Sequence, residues 1–257
     1  MRRDLALRLA ATALLLAALA GARPAAAAET DYCALGSATS LLLVDRSTRY
    51  DEVDRDILVR TVDSFFRQQE PGERLVVAAA GGAYTELKLV FDACRPGCPE
   101  AGLFGRLTSA CRPVLARADF QAFEAEFLAR LVALLKQPEE AAASDLFRSV
   151  AEATRLIEAN RYAPVRQLLM FSDLLEASSL LPGQAIRRMP AAEVLQRLAE
   201  ARVEARLPRA EVRVIGFGRS DAPGRPPLPQ DIRRRVQASW ESWFRAGGAG
   251  SVQIGLR

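Results

Sequence analysis

The chain of 257 residues is 50% hydrophobic and 26% charged, enough apolar content to bury the core of one globular domain. Histidine is absent, which excludes Ser-His-Asp and Cys-His nucleophile pairs, imidazole acid–base chemistry and His-ligated zinc; a metal here must be held by oxygen or sulfur. The formal charge of +4 rests on 35 basic residues, nearly all arginine, against 31 acidic ones.

The amino terminus carries part of that charge. Residues 1–28 open with Arg2 and Arg3, run through an apolar stretch at 9–20 and end Ala-rich after Pro24, the layout of a secretory signal peptide. Cleavage is expected after Ala28, with export to the periplasm or the cell exterior. The apolar stretch is about a dozen residues, short of the roughly 20 that span a bilayer, so no membrane span is expected in the mature chain. Without residues 1–28 the charge falls to +1, which argues against nucleic acid as a ligand. In an oxidising compartment Cys33, Cys94, Cys98 and Cys111 are expected to form two disulfides, with three connectivities open. A four-thiolate zinc site fits less well, because Cys33 and Cys111 each stand alone.

Residues 40–44 (SLLLV) read as a buried strand ending at Asp45, followed by a helix over 51–69 in which Val53, Ile57, Leu58, Thr61, Val62, Phe65 and Phe66 recur at helical spacing. Strands at 74–80 and 86–91, joined through Gly81-Gly82, form an antiparallel hairpin. Residues 92–113 are rich in Pro, Gly and Cys and read as an inserted loop. Phe120, Phe123, Phe127, Leu128, Leu131 and Leu134 predict an amphipathic helix over 119–136. A further helix runs from Ser144-Asp145 to Asn160, and residues 165–171 form a fourth strand ending at Ser172-Asp173. A helix at 191–206, a strand at 211–217, a helix at 231–245 and an edge strand at 251–256 complete the chain. Trp240, Trp243 and Phe244 read as core packing, and Arg233-Arg234-Arg235 as a solvated helix face. The alternation predicts an α/β domain over 29–257: a Rossmann-like, doubly wound, mostly parallel sheet with one antiparallel edge strand and helices on both faces.

Walking that topology brings three segments to the carboxyl end of the sheet, where ligands bind in open α/β folds. They are Asp45-Arg46-Ser47 after the first strand, Ser144-Asp145 before a helix, and Ser172-Asp173 after the fourth strand. Carboxylates and hydroxyls in this combination suit a hard divalent cation in octahedral geometry. The segments LLLVDRST, ASDLFRSVAEA and LLMFSDLLE resemble the three parts of the metal-ion-dependent adhesion site of von Willebrand factor type A (VWA) domains. The resemblance implies a VWA-like fold and a Mg²⁺ or Mn²⁺ site at Asp45, Ser47, Ser144 and Asp173. Two departures stand out: Arg49 occupies the position of the second serine, and Ser144 replaces a threonine. The same walk puts the start of strand one and the end of strand three at the opposite pole, so Cys33 is expected to reach the 94–111 loop and the cystines to lie away from the metal site.

The first functional expectation is therefore an exported, non-enzymatic domain whose cation engages a carboxylate of a protein partner. A metal-free scaffold of the same fold is the alternative. An exported phosphohydrolase using Asp45 is disfavoured, since Asp45-Arg46-Ser47-Thr48 lacks a second Asp and no Gly-rich phosphate loop follows the first strand.

Overall fold

Six strands assemble into one sheet in the order β3-β2-β1-β4-β5-β6. They are β1 (Thr39–Asp45), β2 (Arg74–Ala80), β3 (Lys88–Cys94), β4 (Val165–Phe171), β5 (Glu211–Ile215) and β6 (Ser251–Ile254). Between them run α1 (Glu52–Arg67), α2 (Pro113–Lys136), α3 (Leu146–Ala159), α4 (Ala191–Glu200) and α5 (Gln230–Ala246). The structure is a computed structural model that describes residues 30–47, 52–80, 87–99, 111–136, 144–218 and 227–255, with Tyr32–Arg257 forming one compact unit. The expected signal peptide at 1–28, Arg49 and part of the expected insertion at 92–113 lie outside the described residues. No helix among the described residues is long and apolar enough to cross a membrane.

β1 lies parallel to both β2 and β4, β5 and β6 continue the parallel set, and β3 alone runs antiparallel at one edge. All seven residues of β1 are buried, because helices cover both faces and the strand needs no polar side. Alternation along β1 divides the core: Leu41 and Leu43 face a cluster with α3, α4 and α5, whereas Leu42 and Val44 face one with α1 and α2. The expected α/β sheet with a single antiparallel edge strand is the one observed.

Several boundaries differ from the sequence reading for local reasons. α2 begins at Pro113 rather than 119, since proline is tolerated in the first turn, where its missing N–H has no helical partner. Within α2 the buried stripe is Ala116, Phe123, Phe127, Leu131 and Leu134, while Leu128 faces outward; Val53 of α1 is likewise exposed. α4 stops at Glu200, and Arg202 just beyond takes a φ of 56°, a left-handed turn that ends the helical path short of 206. β5 stops at Ile215, ahead of Gly216 with φ 87°. β3 extends to Cys94, so the strand enters the segment read as loop.

Cys33 is bonded to Cys94 and Cys98 to Cys111. Cys94 pairs with Arg74, and Arg74 with Thr39, which places the first bond at the amino end of β1 and away from Asp45, as the topology requires. It closes a separation of 61 residues, worth about 4 kcal/mol on chain-entropy grounds.

Candidate functional site

The strand order reverses at β1, with β2 on one side and β4 on the other, and the carboxyl ends of β1 and β4 therefore flank the crevice such sheets use for ligands. Asp45, the last residue of β1, is fully buried there. Its Oδ1 accepts the Ser47 backbone N–H at 2.8 Å and the Ser47 hydroxyl at 2.6 Å. Its Oδ2 accepts the Ser172 hydroxyl at 2.6 Å. Ser47 Oγ also lies 2.9 Å from Ser144 Oγ, joining residues 97 positions apart. A hydroxyl carries one proton, and the Asp45 oxygens accept those of Ser47 and Ser172, so the carboxyl group orients both.

The turn after β4 is built from its own side chains. Ser172 Oγ accepts the Leu174 N–H and Asp173 Oδ1 accepts the Leu175 N–H, each at 2.9 Å, the local bonding that favours Ser and Asp in turns. Leu174 sits at φ 61°, a conformation that disfavours a branched residue. Its side chain is fully buried, and its carbonyl accepts the indole N–H of Trp240 at 3.1 Å, so packing and a bond from α5 hold it there. Ser144 is fixed by a two-way backbone bridge to Ala177, with N–H···O distances of 3.1 and 2.9 Å.

Ser144 does not cap α3. Asp145 occupies the cap position and makes no side-chain cap bond; it pairs instead with Arg148 at 2.9 Å. The cap comes from Glu176, whose Oε2 accepts the N–H groups of Leu146 at 2.8 Å and Phe147 at 3.3 Å. Glu176 is fully buried. Burial pushes its carboxyl pKa up to about 8 against the lowering effect of the Ser178 hydroxyl, with the nearby charge of Asp145 adding to the rise. The loops carrying Ser144 and Asp173 are thereby tied to one another by a bridge and by a buried acid.

Of the four residues expected to form the site, Asp45, Ser47 and Ser144 are linked by hydrogen bonds, and Asp173 stands next to Ser172, which contacts Asp45. The sequence reading missed the roles of Ser172 and Glu176. Ser172 was visible only as the neighbour of Asp173; Glu176 was visible only as a lone acid within the apolar run LLMFSDLLEASSLL. Among the described residues no group of three or more Cys, Asp or Glu side chains converges as a metal cage. The donor set is instead two hydroxyls backed by carboxylates. Their 2.9 Å separation is that of a hydrogen bond, and as oxygen donors they are of the class that a hard divalent cation takes.

No protein-family profile and no curated protein matches the chain. Among solved structures it is similar to the VWA domain of SpRpn10, at 9% identity and a TM-score of 0.40, with 86% of this chain and 88% of that one covered. It is also similar to an aerotolerance-related membrane protein from Bacteroides fragilis NCTC 9343 carrying multiple mutations to serines, at 12% identity and a TM-score of 0.39, with 85% and 92% covered. The sheet itself is the doubly wound one expected, in which β1 is central, β3 is the antiparallel edge and helices cover both faces.

Proposed function

We propose that this chain is an exported, non-enzymatic VWA-like domain that binds a protein partner through a divalent cation, Mg²⁺ or Mn²⁺. The observation that carries the reading is the pairing of Ser47 Oγ with Ser144 Oγ at 2.9 Å in front of the buried Asp45 carboxylate. Ser47 and Ser144 would hold the ion directly, with Asp45 and Asp173 supplying the negative charge behind them. When bound, the ion offers a hard Lewis-acid position to a carboxylate oxygen of the partner. Asp45 orients Ser47, and the Ser144–Ala177 bridge holds the second hydroxyl in register with the first. The burial of Asp45, with both oxygens accepting hydrogen bonds, supports binding over a phosphohydrolase in which that carboxylate would attack substrate.

A metal-free scaffold is the second reading. It is favoured by the same bonds, because Ser47 and Ser172 already satisfy Asp45 through hydroxyl protons. Thermal unfolding of chelator-stripped protein separates the two. With Mg²⁺ or Mn²⁺ at a hundred times its dissociation constant, stabilisation is expected to be about 2.7 kcal/mol, or several degrees in Tm. Ser47→Ala and Ser144→Ala each remove one hydroxyl and are expected to abolish that shift. A folded wild type whose Tm ignores both ions points to the scaffold.

A further inference from the structure

The run Arg233-Arg234-Arg235, read from sequence as a solvated helix face, divides in the folded chain. Arg235 is satisfied, donating to the Arg187 carbonyl at 2.6 Å and to Asp231 at 3.4 Å. Arg233 and Arg234 instead line a cavity of about 300 Å³ together with Gln230, Gln237, Phe217 and Ile254. The four polar residues follow i, i+3, i+4 and i+7 spacing, so they form one stripe of α5. That stripe faces the carboxyl ends of β5 and β6, marked by Phe217, two residues past β5, and by Ile254, the last residue of β6.

Among the described residues no acidic side chain lines this cavity and neither guanidinium forms an ion pair. The Nε of Arg233 is buried and has no acceptor. A buried donor without an acceptor is rare in a folded protein and asks for an explanation. Arg233 is part-buried and Arg234 exposed, and guanidinium keeps its charge near neutral pH, so an anion is the partner that would answer both the buried Nε and that charge. Two guanidinium forks present more donors than one carboxylate can accept, and they suit the three terminal oxygens and double charge of a phosphate group. The volume lies at the lower end for small-molecule sites, and the Gln230 and Gln237 amides with the Phe217 and Ile254 edges offer contacts for an organic body.

We propose that the cavity between α5 and the ends of β5 and β6 binds a small organic phosphate ester, with Arg233 and Arg234 clamping the phosphate. The site shares no residue with the Asp45 centre and does not depend on a cation there. Calorimetric titration at low ionic strength with phenyl phosphate, inorganic phosphate and benzoate tests it. Phenyl phosphate is expected to bind saturably, at least tenfold more tightly than benzoate and more tightly than inorganic phosphate, and to weaken as pH falls below about 6, where the ester takes up a proton. Arg233→Gln with Arg234→Gln is expected to lower the affinity at least tenfold at unchanged Tm. Should that pair disturb folding, Arg233→Lys with Arg234→Lys, which keeps both charges but not the forks, is expected to weaken binding severalfold. Absence of saturable binding, equal affinity for benzoate, or undiminished binding by the folded variants overturns the proposal.

Discussion

Trp240→Ala is expected to lower the unfolding free energy by about 3–5 kcal/mol, measured by urea denaturation with the disulfides intact. Trp240 is fully buried; its ring stacks on Phe147 at a centroid distance of 3.7 Å and touches Trp243 and Phe244. Truncation leaves a cavity between α3 and α5 and strips the Leu174 carbonyl of the indole N–H that reaches it at 3.1 Å. Trp240→Phe separates these effects. It keeps most of the aromatic packing and removes the hydrogen bond, for which about 1–2 kcal/mol is expected. Because Leu174 lies in the turn that positions Asp173, this milder variant should also weaken the Mg²⁺ response while remaining folded. An alanine variant as stable as wild type would show that α5 does not anchor the turn.

Raising the pH is expected to destabilise the protein, and Glu176→Gln is expected to remove much of that dependence. The carboxyl of Glu176 has its ordinary value of 4.5 when unfolded and about 8 when buried in the fold. Below 4.5 both states hold the proton and its contribution is complete. Between 4.5 and 8 the folded chain keeps a proton that the unfolded chain has released, so stability falls by up to about 1.4 kcal/mol per pH unit. Above 8 both states are ionised and this contribution levels off. Glutamine is neutral throughout and retains a carbonyl oxygen to accept the Leu146 and Phe147 N–H groups. Chemical denaturation at pH 5, 7 and 9 should show a falling curve for wild type and a flatter one for Glu176→Gln. Parallel curves would mean that the buried group is ionised across this range.

The elements of the fold were legible because their signals are local. The apolar run 40–44 needs no knowledge of β2 or β4 to read as a strand covered on both sides, and β4 was read at its observed bounds, Val165–Phe171. Boundaries failed where a single backbone conformation decided them, as at Arg202 and Gly216. The candidate site was legible in part for a different reason. Parallel strands joined by helices deliver their carboxyl ends to one edge, so Asp45, Ser47 and Ser144 were brought together in expectation by topology before any distance was known. Arg49, at the position of the second serine in the resembled motif, lies outside the described residues.

Composition and periodicity by themselves determined the class of fold, the absence of imidazole chemistry and the oxygen character of the candidate site. These depend on which residues are present and on their spacing along one strand or helix. Tertiary structure alone decided which groups meet across long separations. It selected Cys94 as the partner of Cys33, set the Ser172 hydroxyl on a carboxylate 127 residues away, and buried Glu176 beneath the amino end of α3. It also split one arginine run into a satisfied member and two that face a cavity. Each of these outcomes turns on burial and on the supply of partners, which arise only once the layers have packed.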